Sequence, residues 1–311
     1  MTTNKGSFLP DLPFEAWKDT RLTLHLIFQI IGKTRLKLTA RKNHWWYITL
    51  YVTAKGFGTR SIPVNDGWDT LEIDFNVLEK AVVLSHSSFE PIYISLLPHP
   101  SIAQFYGHFM TALRSFDLHP KFIEKPLDLG IEKRFDAIEE YYHYDWPHIE
   151  TFWKIMRWNH SVFQEFSGRF YGKTCPVHIY WHHMDLTVTR VSERRLPPMD
   201  KSARILERDT YSHEQISFGF WAGDDNVPEP MYYAYTYPSP DGLDQEPLAP
   251  SSAQWVESNG SPMALLSYAS IKDSDDPRGA VLDFLESAYQ AGAKKAKWNI
   301  AELTVPSLDD I

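Results

Sequence analysis

At 311 residues, 43% hydrophobic and 23% charged, the chain has a globular composition, enough for one large domain or two ordinary ones. Its formal charge of −9 argues against a nucleic-acid partner, which needs a basic face, and its single cysteine, Cys175, excludes an intrachain disulfide framework and cysteine-rich zinc sites. No apolar run approaches the roughly 18 residues of a bilayer span, and the polar stretch Met1 to Pro10 does not read as a secretory leader, so a soluble, cytoplasmic protein without a membrane partner is expected.

In chain order, Pro13 to Ile31 reads as an amphipathic helix, with Trp17, Leu24, Phe28 and Ile31 at helical spacing and Gly32 as its stop. Strand patterns follow at 35–39, 44–53, 71–77, 81–85 and 92–96. In the third, Leu71, Ile73, Phe75 and Val77 alternate with Glu72, Asp74 and Asn76, the signature of a strand with one wet face. A helix is predicted over Ile102 to Phe116, then a Pro-bearing linker, and a long aromatic-rich helix from Pro147 to Tyr171, closed by Gly172. Further strands fall at 177–181, 186–192, 216–221, 231–237, 254–257 and 265–271, with a loop over 194–209 and a last helix from Pro277 to Trp298. Asn259-Gly260 is a strong hairpin signal. Pro228, Pro230 and Pro238 bracket Met231 to Tyr237 and mark it as an edge-type strand, with Tyr233, Tyr235 and Tyr237 on one face. The cluster Lys294, Lys295 and Lys297 suits the C-terminal end of the last helix dipole.

Two short matches suggest an internal duplication. Gly32-Lys33-Thr34 recurs as Gly172-Lys173-Thr174, and Leu50-Tyr51-Val52-Thr53 recurs as Leu186-Thr187-Val188-Thr189. The expected class is α+β: two antiparallel β-sheets packed by helices, as helix–meander–helix twice, with halves at 1–130 and 131–311 and a cleft where they meet.

Histidines among aromatics carry the candidate chemistry, because imidazole titrates near neutrality and aromatic walls build pockets. His44 precedes Trp45 and Trp46; His178 precedes Tyr180 and Trp181; His213 and Glu214 precede Trp221. Asp185 and Arg190 flank the Leu186 to Thr189 strand, so a hairpin could set Arg190 across from His178, suiting a carboxylate or carbonyl. Adjacent strand residues face opposite ways, so His213 and Glu214 share a partner only at a turn or bulge. Lys18, His25 and Gln29 share a face of the first helix and Lys33 follows, reading either as a solvated face or as a polar wall for an anionic ligand. A two- or three-histidine metal site using His44, His178 and His213 is an alternative, without a spacing motif behind it. Cys175 and His178 are wrongly spaced for a nucleophilic pair on one strand, and the chain has no Gly-x-Ser-x-Gly elbow, P-loop or Gly-x-Gly-x-x-Gly fingerprint.

The stretch Leu12 to Thr20, the segments Asn43 to Trp46, Pro176 to His178 and Tyr211 to Glu214, and the tyrosine-rich strand together resemble DUF5996, a family of uncharacterised proteins, over nearly the whole chain. The resemblance implies no established activity. Where the family has a Gly-Ser-like pair this chain has His182-His183, and where the family has a Cys-Ser order it has Thr174-Cys175, so these residues are weak candidates. The expectation is an enzyme acting on a small polar or aromatic molecule, with His178 or His213 as acid/base and Glu214 or Asp185 as orienter. Arg190 and Lys33 supply the anion clamp, and Lys18, His25, Gln29, Trp46, Trp181 and Trp221 the ligand-binding walls. A metalloenzyme and a non-catalytic ligand-binding or interaction module stand as alternatives. Neither a cofactor nor the oligomeric state is legible.

Overall fold

The computed structural model describes residues 9–272 and 274–306, so most of the Met1 to Pro10 stretch lies outside the described residues. In chain order the helix α1 (Phe14–Leu38) leads to β1 (Tyr51–Val52), β2 (Gly56–Gly58), β3 (Ile62–Val64), β4 (Asp69–Asn76), β5 (Ala81–His86) and β6 (Phe89–Ser95). Then come α2 (Ile102–Ser115), α3 (Trp146–Ser167), β7 (Lys173–Thr174), β8 (His178–Tyr180), β9 (Asp185–Arg195), the short α4 (Ile205–Thr210) and β10 (His213–Trp221). The chain closes with β11 (Met231–Tyr237), β12 (Gln254–Ser258), β13 (Ser261–Ser267), α5 (Tyr268–Lys272), α6 (Pro277–Lys295) and α7 (Ile300–Leu303). The class is α+β with two antiparallel sheets. Among the described residues no helix is long and apolar enough to cross a membrane.

The chain divides into two compact units, but not at residue 130: one holds 15–157 and 178–184, the other 1–14, 158–177 and 185–311. The helix α3 contributes to both. In the first unit the sheet runs β1-β2-β4-β5-β6, with β3 also on β4. The alternation read in β4 holds: Leu71, Ile73 and Phe75 are buried. Phe28 of α1 packs edge-on against Phe57 and Phe75, with ring centroids 5.1 and 5.9 Å away, and Trp17 lies 5.0 Å from Phe152 of α3. Ser101 opens α2 with a capping box closed by Gln104, satisfying two of the helix's orphan amides.

In the second unit the sheet runs β12-β13-β11-β10-β9-β7. Its inner face, with Val188, Phe218, Phe220, Tyr232 and Ala234, is buried. Phe166 of α3 meets Phe218 at 4.8 Å. Gly292 lets α6 sit close, since a Cβ there would lie 2.3 Å from the Thr236 hydroxyl. The Asn259-Gly260 hairpin is present, with φ of 50° and 77° at the two residues, both left-handed as a two-residue turn requires. Lys294 and Lys295 at the end of α6 also pair with Glu246.

Several sequence expectations are corrected. The first helix does not stop at Gly32; it continues to Leu38, so residues 35–38 are helical and not a strand. Gly32 serves close approach instead: an added Cβ would lie 2.2 Å from the buried indole of Trp181. The second Gly-Lys-Thr contributes its Lys and Thr to β7, so the two triplets have different structures and do not support a duplication. Residues 43–45 form a tight turn with His44 at φ 56° and Trp45 at φ 59°, both left-handed, which breaks the period-two reading of 44–53 down to Tyr51–Val52. The strand β11 is interior, between β10 and β13; its prolines stand just outside it, where no ladder donor is needed. Residues 268–272 are helical rather than the end of a strand.

Candidate functional site

Extending α1 past Gly32 carries Arg35 into the last turn of a helix, beside the chain that returns at Tyr47 to Tyr51. The side chain is buried; its Nε donates to the Tyr47 carbonyl at 2.7 Å, and its guanidinium carbon lies 5.2 Å from the Tyr51 ring centroid. Arg60, in the left-handed region at φ 56°, is exposed and stacks on the same ring at 3.7 Å. Two guanidiniums therefore lie against one phenol. No carboxylate pairs with either among the described residues, and the Arg35 Nη1 is buried with no hydrogen-bond partner. Burial holds the Arg35 pKa below the usual range; the Tyr51 phenol beside it opposes this, and the neighbouring Arg60 charge adds to it.

His178 completes this arrangement. It is fully buried, and no protein group pairs with either ring nitrogen. Its edge contact with Tyr180, at 4.7 Å between centroids, fixes one side of the ring. Burial pushes its pKa from 6.5 down to about 3, and the charges of Arg35 and then Arg60 push the same way. At neutral pH it is a neutral imidazole, one donor and one acceptor, facing a positive field. The bridge between Leu50 and Ile179, with mutual backbone bonds of 2.9 and 2.8 Å, and the Tyr180 hydroxyl on the His44 carbonyl at 3.2 Å tie this strand to the Tyr47–Tyr51 segment.

The other expected residues are placed as follows. Arg190 is not a cross-strand neighbour of His178; its register partners are Thr174 and Ile216. Its guanidinium lies in an aromatic box 3.7 Å from Phe166, 4.2 Å from Tyr289 and 5.1 Å from Phe170, donating to the Phe166 carbonyl at 2.7 Å. It holds the core face of the second unit. On the first helix, Gln29 and Lys33 hold the backbone of the 123–127 segment. Gln29, fully buried, exchanges hydrogen bonds of 2.9 and 2.6 Å with both backbone groups of Leu127, and Lys33 donates to the carbonyls of Ile123 and Lys125 at 3.1 and 2.7 Å. His25, buried beside Gln29, is pushed to about 3 by desolvation and the Arg21 charge. Lys18 is exposed on the helix and ion-paired with Glu15 at 2.7 Å.

His44 is buried, its ring 4.9 Å from Trp46; Trp181 is buried against Gly32. His213 belongs to the second unit, just before a register shift in β10, and its ring bonds the Ser212 hydroxyl at 3.1 Å. Desolvation lowers its pKa, helped by Lys173 and Arg195. Glu214 is spent on the Trp298 indole at 2.9 Å, the Ser192 hydroxyl at 3.4 Å and Arg194 at 3.4 Å, not on orienting His213. Cys175 is buried, its Sγ accepting the Thr189 amide at 3.2 Å, and burial pushes its thiol up to about 12, as an inert structural cysteine. Among the described residues no group of three or more His, Cys, Asp or Glu is arranged to hold a metal ion.

Sequence reasoning missed Arg35, Tyr51 and Arg60. The signal for Arg35 was available: Arg35, Leu36, Lys37 and Leu38 are helix formers, and a glycine alone does not end a helix. For Arg60, nothing local marks a turn residue as part of a site.

No curated protein and no solved structure matches this chain. A family model described as a family of unknown function, DUF5996, matches residues 9–305. The chain belongs to the DUF5996 family of unknown function.

Proposed function

We propose that the first unit binds a small organic anion, a carboxylate or phosphate, between Arg35 and Arg60, with His178 as a hydrogen-bond partner. One observation carries this reading: two neighbouring guanidiniums without a carboxylate partner, next to a buried imidazole whose two nitrogens meet no protein group. A bound anion would supply the missing countercharge and one missing hydrogen bond together, and guanidinium–oxyanion pairs are the stronger class of hydrogen bond. Arg35 and Arg60 thus take the clamp role expected of Arg190 and Lys33.

The test is calorimetric titration of the protein with benzoate and, separately, inorganic phosphate. Saturable heat with at least one anion is expected, weakened about tenfold in Arg60→Ala, since a charged hydrogen bond contributes roughly 1.5–3 kcal/mol. Because the anion favours protonated His178, affinity should rise as the pH falls below neutrality. No saturable binding of either anion, or equal affinity in Arg60→Ala, would sink the reading.

An enzymatic role is the second reading, favoured by the protonation state of His178. It is already unprotonated at neutral pH and so able to accept a proton from a substrate on the guanidiniums. Two cations make it a weak base when the site is free, and an anionic substrate would raise its basicity on arrival.

A further inference from the structure

The second unit carries a different polar cluster on the sheet face opposite its core. Alternation along β9, β10 and β11 puts Asp185, Thr187 and Thr189 on that face with Ser217, Gly219 and Trp221, and with Tyr233 and Tyr235. Gly219 stands between Thr187 and Tyr233 in register, and a Cβ there would lie 2.3 Å from the Tyr233 ring. The missing side chain lets Tyr233 lie across the strand, where its hydroxyl donates to Asp185 Oδ2 at 2.5 Å. The Thr187 hydroxyl donates to the same oxygen at 2.9 Å. The other oxygen, Oδ1, is buried and meets no donor, although Asp185 is only 8% exposed. No cation pairs with this carboxylate among the described residues. Around it stand three aromatic rings: Trp221 at 5.7 Å from Tyr233, its Nε1 also buried without a partner, and Tyr235 stacked on Tyr233 at 6.2 Å and 12°.

Burying an ionised carboxylate without a countercharge is costly, and two hydroxyl donors on one oxygen offset only part of that cost. A neutral alcohol would satisfy Oδ1 as a hydrogen-bond donor but leave the charge uncompensated. A cation answers both, and ring faces attract it as well. We propose that Asp185, Trp221, Tyr233 and Tyr235 form a binding site for an organic cation, the ammonium or guanidinium group of a small amine. This site is independent of the Arg35–Arg60 anion site, sharing no residue with it.

Benzylamine and its uncharged isostere benzyl alcohol separate the two chemistries. In calorimetric titrations at neutral pH, benzylamine should saturate, bind about tenfold or more tightly than benzyl alcohol, and lose that advantage in Asp185→Asn, which keeps the side chain's size but not its charge. Should Asp185→Asn fail to fold by circular dichroism, Trp221→Leu decides in its place, with benzylamine weakened about fivefold or more by loss of one ring. The proposal is overturned by equal affinity for the two compounds, by no saturation with benzylamine up to about 10 mM, or by unchanged binding in the folded variant.

Discussion

Lowering the pH from 7 to 5 should destabilise the first unit through two buried histidines. His25 and His178 both drop from 6.5 to about 3 on folding. A folded pKa below the unfolded value means that the unfolded chain binds more protons. The stability is therefore full above 6.5 and is lost as the pH falls toward 3. Each pH unit below 6.5 costs about 1.4 kcal/mol per histidine, so pH 5 removes about 2 kcal/mol from each and about 4 kcal/mol together. That is a large share of the roughly 5–15 kcal/mol stabilising an ordinary domain. Asp74 works the other way: burial and the Glu72 charge raise it to about 6, so it takes its proton first in the folded state and offsets part of the loss. Urea unfolding followed by tryptophan fluorescence and circular dichroism, in a zwitterionic buffer that leaves the guanidiniums free, measures the difference. A loss below about 1 kcal/mol, or the same loss in a His25→Gln, His178→Asn double variant, would refute the reasoning.

Gly32→Ala should destabilise despite improving helix propensity by about 1 kcal/mol. The new Cβ would force the Trp181 indole aside by about 1.2 Å in a buried place, and overpacking of this kind costs about 1–3 kcal/mol, leaving a lower midpoint in the same urea assay. Gln29→Leu should strand both backbone groups of Leu127 at a cost of about 2–4 kcal/mol, and limited proteolysis should then cut within 121–130 faster than in the parent. Cys175 should resist a thiol reagent at pH 8 until urea unfolds the protein, because the buried thiol at about 12 presents almost no thiolate; rapid native labelling would contradict its placement.

Strands such as Leu71 to Asn76 and the Asn259-Gly260 hairpin were legible because one local rule, alternation or turn chemistry, decides each of them. Gly32 was not, since its reason is Trp181, far away in sequence, and the same misreading hid Arg35 by turning a helix end into a strand. His178 stands among aromatics in the sequence, whereas its cationic neighbours come from segments 118 or more residues earlier, which no spacing rule connects. Arg190 shows the converse. Its charge suggested a ligand, but alternation along β9 sends it to the core face, while Asp185, five residues earlier in the strand, takes the other face.

The two guanidiniums around Tyr51 differ in how they are held, and that difference should separate in time. Arg35 is fixed by a helix and a backbone carbonyl, so a ligand need not order it on arrival. Arg60 reaches into solvent, where its field meets an approaching anion first. Changing Arg60 should therefore act mainly on the association rate and its ionic-strength dependence, and changing Arg35 mainly on residence time. One aromatic ring would then carry both a capture group and a retention group.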